Sequence, residues 1–221
     1  MKLVKSILAG IMIGVGCNIF ISCENKYIGS LLFSLGLVTI LLFDFSLYTG
    51  NVCYIPEKGF KFIKQVLIIL LGNIIGCFCF GLMFPSDLAS VICQNKLQIN
   101  LVSIFFRAVL CNILIYIAVD SYKTKNTLIP TFLCIPVFIL SGYEHSIADI
   151  VYFVMAGNFS LQAALFILIV ILGNAVGGMF IPLCNRLDKK WFFIIINFLN
   201  VYNYRHIHNM VYNYKRYFYI I

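Results

Sequence analysis

Six times in this chain the sequence turns apolar for long enough to cross the hydrocarbon core of a bilayer, at residues 5–22, 28–54, 62–84, 97–120, 127–155 and 161–187. A helix needs about 20 such residues to span that core, so these runs leave no room for a water-soluble fold. Composition agrees, with 62% of residues hydrophobic and 11% charged, against about 25% charged in an ordinary soluble domain. The chain is expected to be an all-α membrane protein of six transmembrane helices, with a pore domain over residues 1–188 and a further segment over 189–221.

The opening stretch, MKLVKSILAGIMIGVGC, imitates a secretory signal, with Lys2 and Lys5 ahead of an apolar run that ends at Cys17. Five more spans follow and no Leu stands where a lipoprotein site would place one, so the stretch reads as the first span. Gly10, Gly14 and Gly16 would let it lie close against a neighbouring helix in lipid. With six spans, thirteen Lys and Arg residues collect on one side, while Lys26 and Lys96 are on the other. Cytoplasmic loops attract Lys and Arg, which puts both termini in the cytoplasm of a multi-pass protein of the cell (inner or plasma) membrane. The formal charge of +8 then reports topology and contact with anionic membrane lipid, and gives no ground for nucleic acid as a partner. Nine cysteines, mostly inside spans and without a CxxC pair, read as small packing residues. No metal and no cofactor are expected.

The sequence repeats itself. LIILLGNIIGCFCF (67–80) and LIVILGNAVGGMFI (168–181) each close an apolar run with Gly-Asn and place another Gly three residues after the Asn: Gly72, Asn73 and Gly76 against Gly173, Asn174 and Gly177. The match maps the third span onto the sixth. Three spans therefore repeat as three spans, with halves of about 1–95 and 96–188, and an odd number turns the second copy upside down. Inverted repeats of this kind are an architecture of transporters and channels.

The second span of each half is long and carries polar residues at its middle. FDFSLYTGNVCYIP (43–56) places Asp44, Ser46, Thr49 and Asn51 around Gly50, and SGYEHSIAD (141–149) places Glu144 and His145 in mid-span. Both read as interrupted helices, which lipid tolerates only where protein or a water-filled cavity receives the freed backbone groups. Ionisable residues at that depth are usually functional. Helices 2 and 5 are thus expected to break near mid-membrane and to face one another across a pore.

In SGYEHSIAD, YTGN (48–51), FFRAVLCN (105–112) and the two GNxxG motifs, the chain resembles the formate/nitrite transporter family from about Lys5 to Arg186. The resemblance implies an aquaporin-like fold, one pore in each subunit of a homopentamer, and small monovalent anions such as formate, nitrite, hydrosulfide, acetate or lactate as substrates. It also implies roles. His145 is similar to the family's central pore histidine, Thr49 to its hydrogen-bonding partner, and Asn174 and Asn112 to pore asparagines. Lys96, sixteen residues ahead of Asn112, is similar to a lysine that faces the pore. Phe33, Leu37, Leu47 and Phe138 match apolar constriction positions. Where the family has an acid three residues before the threonine, this chain has Ser46, with Asp44 two residues further back, and the loop AGNFS (156–160) is short.

These residues suit proton-linked passage of a weak-acid anion. Lys96 would attract the anion with Glu144 as its partner, while Thr49 and Asn174 would hold the second imidazole nitrogen of His145. The proton would come from His145 or from water. Arg107 is either a pore cation or a partner of helix-end carbonyls or of a neighbouring protomer, and the second is preferred. Asp120 and Asp149 read as structural hydrogen-bond formers. The aromatic and basic segment 189–221 reads as interfacial or as an extension without function. Two other classes remain: a non-transporting channel-like sensor or scaffold, and an intramembrane enzyme using Glu144 and His145 as acid and base. No nucleophile motif accompanies that pair, so no enzyme activity is expected.

Overall fold

The computed structural model describes residues 2–187, and every regular element among them is helical. The chain divides into two compact units, 1–182 and 183–221; of the second, residues 183–187 are described and are helical. The segment 189–221 lies outside the described residues. In chain order the helices are α1 (Lys2–Ser22), α2 (Lys26–Leu42), α3 (Tyr48–Val52), α4 (Ile55–Lys58), α5 (Lys61–Met83), α6 (Asp87–Leu97), α7 (Leu101–Lys125), α8 (Ile129–Leu140) and α9 (Ser146–Met155). The last is α10 (Leu161–Leu187).

Among the described residues four helices, α1, α5, α7 and α10, are long and apolar enough to cross a membrane. The apolar runs 28–54 and 127–155 are instead divided, the first into α2, α3 and α4 and the second into α8 and α9. Both breaks are made the same way. At the end of α2 the Phe43 N–H donates to Thr39 O (3.0 Å) and the Phe45 N–H to Ile40 O (2.9 Å); at the end of α8 the Ser141 N–H donates to Val137 O (3.0 Å) and the Tyr143 N–H to Phe138 O (3.0 Å). Such helix ends need a left-handed residue, here Asp44 at φ +51° and Gly142 at φ +66°. The chain then extends through Leu47 (φ −100°, ψ 134°) and His145 (φ −113°, ψ 111°), and a helix restarts at the next residue.

α1 packs against α2 and α5, α2 against α8, α5 against α9, and α7 against α8. Between lipid-embedded helices, close van der Waals contact replaces the hydrophobic driving force, and the GNxxG glycines supply it. A Cβ at Gly76 of α5 would overlap the Ile7 carbonyl oxygen of α1, and one at Gly177 of α10 would overlap the Val109 carbonyl oxygen of α7.

One element has no counterpart in the hydropathy, which starts the fourth span at residue 97. α6 lies ahead of that start, between the apolar runs 62–84 and 97–120, capped by Ser86, whose Oγ accepts the Ala89 N–H at 3.4 Å, with Asp87 in its first turn. Its start is tied to the end of α9 by the Ser86 N–H, which donates to Met155 O at 3.0 Å. α7 begins only at Leu101, with Asn100 Oδ1 accepting the Ser103 N–H at 2.8 Å. α6 thereby brings Lys96, in its last turn, against the second break.

Candidate functional site: a buried polar waist

Each break exposes backbone groups that need partners in an apolar surrounding, and one asparagine serves each. Asn73 of α5 accepts the Tyr48 N–H on Oδ1 (2.7 Å) and donates from Nδ2 to Ser46 O (2.9 Å) and to Ser6 O of α1 (2.7 Å). Asn174 of α10 accepts the Ser146 N–H on Oδ1 (2.9 Å) and donates from Nδ2 to Glu144 O (2.9 Å) and to Ala108 O of α7 (2.8 Å). Both side chains are fully buried. The residues so bracketed are Leu47 in the first break and His145 in the second.

His145 Nε2 lies 3.0 Å from Thr49 Oγ1, both groups being buried. The other ring nitrogen, Nδ1, accepts the Ala148 N–H at 3.2 Å and so caps α9. A nitrogen that accepts a backbone N–H carries no proton, so the neutral ring has its hydrogen on Nε2 and donates it to the threonine hydroxyl. The expected hydrogen bond between Thr49 and His145 is present, and the expected role of Asn174 is corrected. Thr49 meets Nε2, and the second nitrogen is held by backbone; Asn174 does not touch the imidazole but fixes the peptide groups on either side of it. Asn112 of α7 donates from Nδ2 to Asn174 O of α10 (2.7 Å) and to Thr49 O of α3 (3.2 Å), tying the bracketing helix to the restart after the first break.

Beside the histidine the Phe138 ring stacks on the imidazole with centroids 5.8 Å apart, and Phe33 meets Phe138 edge-on at 6.1 Å. Phe33, Phe138, His145, Lys96, Asp149 and Tyr152 all line one cavity of about 190 Å³. Leu37 and Leu47 are buried but are not among the residues lining it. Lys96 does pair with Glu144, through Oε2. It also lies 2.9 Å from Asp149 Oδ1, so its ammonium group sits between two carboxyl groups and is not a free attractant. Asp149, expected to be structural, thus belongs to the cavity. The signal for it in the sequence is position: it stands in the first turn of α9, four residues after the capping His145, whose carbonyl accepts the Asp149 N–H at 2.9 Å.

The other charges sit apart from the cavity lining. Arg107 Nη1 donates to Gly142 O at 3.3 Å, a helix-end carbonyl left free by the second break. Asp120 Oδ1 accepts from the Tyr54 hydroxyl at 3.2 Å. Asp44, 2.7 Å from Lys5 Nζ, links the first break to the start of α1.

An all-helical chain with membrane-length helices around a buried polar waist and a cavity belongs to the channel and transporter class. Residues 1–185 match the sequence pattern described as formate/nitrite transporter, and the chain belongs to that family. It is similar to the nitrite transporter NirC of Escherichia coli, 27% identical over 209 residues that cover 79% of this chain and 78% of that protein. It is similar too to the formate channel FocA of Haemophilus influenzae, 26% identical over 149 residues covering 57% of this chain and 52% of that one. Among solved structures it shares its fold with an FNT family ion channel (TM-score 0.73, 21% identity, 81% of this chain and 86% of that one). A pentameric formate channel with formate bound is similar as well (TM-score 0.68, 22% identity, 88% and 96%). Its family is one of membrane channels and transporters, not of enzymes.

Proposed function

We propose that the chain forms a pore for small monovalent anions of weak acids, namely formate, nitrite, hydrosulfide, acetate or lactate, in a homopentamer with one pore per protomer and proton-linked passage past His145. The observation that carries the reading is the Thr49–His145 hydrogen bond at 3.0 Å, which joins the two breaks at a buried waist. The names of the relatives, a nitrite transporter and formate channels, support the substrate class, and the pentameric neighbour supports the assembly.

The breaks belong, in this reading, to two inverted three-helix repeats, 1–95 and 96–188, with helices 2 and 5 interrupted as in aquaporins. Their matched turns and their two asparagine brackets support it. Both termini face the cytoplasm by the distribution of Lys and Arg. The lipid-facing sides of α1, α5, α7 and α10 meet the bilayer.

A bare anion in a low-dielectric slit carries a Born cost of order 20 kcal/mol before relaxation, whereas its neutral acid avoids most of that. The anion is therefore protonated in the cavity and passes the Phe33, Phe138, Leu37 and Leu47 constriction uncharged, with the polar groups of His145, Thr49, Asn112 and Asn174 at its narrowest part. Lys96 and Glu144 hold the cavity's charge balance. Reconstitution of the pentamer in proteoliposomes, with flux of each anion measured with and without a proton gradient, tests this. The expected result is uptake that rises with an inward proton gradient; no flux of any of these anions from an assembled pentamer would overturn it.

A further inference from the structure

At the cavity beside His145, the one lysine of the lining, Lys96, faces two acids, Asp149 of the lining and Glu144 behind it. Lys96 contacts Glu144 Oε2 and lies 2.9 Å from Asp149 Oδ1, and the two acidic side chains are each 2% exposed. With all three ionised, a site that has to admit an anion would carry a net negative charge out of reach of bulk water. A buried group in that position takes up a proton instead. The two carboxyls are not equivalent: Asp149 Oδ2 is fully buried and has no hydrogen-bond partner, while Asp149 and His145 both line the cavity. A carboxylate oxygen there lacks a donor, and protonation removes the charge that would otherwise be left without one.

The groups that face Asp149 from neighbouring elements are Lys96 and Cys93 of α6, Glu144 of the break, Cys17 of α1, Cys111 of α7, and Tyr152 on α9 itself. The thiols and the phenol carry no charge at neutral pH, which leaves Lys96 and Glu144 as the ion pair. His145 is poorly placed to hold a second proton, because its Nδ1 is occupied by the Ala148 N–H.

We propose that Asp149 holds a proton on Oδ2 in the resting pore and gives it to the anion that arrives in the cavity, so that a carboxyl and not the imidazole makes the neutral acid. This rests on the weak-acid pore reading above and names its proton donor. The Oδ2–H bond breaks as the O–H or S–H bond of the acid forms, and the electron pair stays on Asp149. The acid moves on past His145, whose Nε2–H and Thr49 partner offer it hydrogen bonds without changing protonation. A proton from water at the cavity mouth then restores Asp149, so one anion and one proton cross per cycle. For a carboxylate substrate the exchange is between two carboxyls desolvated in the same cavity, which keeps it close to balanced.

Two measurements on the assembled protein test this. In proteoliposomes, Asp149→Asn lowers formate uptake about tenfold or more, the scale of a lost general acid, and its residual uptake brings no proton inside; Asp149→Glu restores both. In the infrared, the wild-type protein at neutral pH shows the C=O stretch of a protonated carboxyl that is absent from Asp149→Asn and kept in Glu144→Gln. Where Asp149→Asn does not assemble, the Asp149→Glu protein decides the matter by a shift of that band. Wild-type uptake and proton stoichiometry in Asp149→Asn, or a band that follows residue 144 and ignores residue 149, would overturn the proposal. A wild-type protein that carries no anion at all would instead sink the pore reading, and the infrared result would still report whether Asp149 is protonated.

Discussion

Leu47 and His145 are structural counterparts. Each is the extended residue between a terminated helix and a restarted one, and each is bracketed by an asparagine side chain that holds the carbonyl before it and the N–H after it. One position carries a hydrocarbon and the other an imidazole. The waist is built symmetrically from backbone and made asymmetric by one side chain, with Thr49 reaching across from the other half to meet it.

Two substitutions at His145 separate its tasks. Asparagine is among the best helix N-caps, so His145→Asn keeps the start of α9, assembles as a pentamer and retains the wild-type dependence of flux on pH, because the imidazole does not supply the proton. His145→Leu makes both counterparts apolar and lowers formate flux about fivefold, the equivalent of one hydrogen bond to a neutral acid at about 1 kcal/mol. Stopped-flow uptake across pH 5 to 8 is the measurement; His145→Leu flux within twofold of wild type would remove the histidine from the mechanism.

Thr49→Val keeps the shape of the side chain and deletes the hydroxyl. It leaves the Nε2–H of His145 without an acceptor in a buried site, at about 1–3 kcal/mol, and flux falls while the pentamer persists. Thr49→Ser restores flux. If valine and serine behave alike, the 3.0 Å contact has no part in transport.

The two asparagines are expected to act on stability before transport. Alanine at either position strands one N–H and two carbonyls, a destabilisation of several kcal/mol at about 1–3 kcal/mol for each unpaired group. Asn73→Ala and Asn174→Ala should lower the thermal midpoint of the detergent-solubilised protein by similar amounts. A large loss at Asn174 with none at Asn73 would contradict their equivalence.

Lys96→Met removes the cation from between two buried carboxyls, and breaking a buried ion pair in this way costs about 3–5 kcal/mol. Adding Glu144→Gln removes the stranded charge and recovers most of that stability. A double-mutant cycle in thermal unfolding reads the coupling; additive losses would mean that Lys96 and Glu144 do not depend on one another.

Much of this arrangement is legible in the sequence, because backbone requirements leave residue types behind. A left-handed helix end asks for Gly142, close helix approach asks for Gly76 and Gly177, and a buried break asks for an amide at Asn73 and Asn174, so the places where the two apolar runs divide can be read from letters. Other features leave no such mark. The motif pairs Asn73 with Asn174, an offset of 101 residues, but the breaks pair Leu47 with His145, an offset of 98, so the counterpart of the histidine emerges only once the breaks themselves are seen. α6 is hidden because apolar residues flank it on both sides, although Ser86 and Asp87 mark its start. The part played by Asp149 depends on where Lys96 arrives in space, which spacing along the chain does not contain.

The two asparagines have a consequence for how the passage opens. Because each side-chain amide is committed to main-chain groups of its own break and of a neighbouring helix, the frame of the narrowest section is a fixed aperture. Opening by hinge motion would have to undo these bonds together. Phe33 and Phe138, which meet edge-on and line the cavity, make no such bonds, so in the proposed pore side chains are the adjustable parts. A gate made of side chains responds to whatever molecule stands beneath it, faster than the microsecond to millisecond motions of helices and domains.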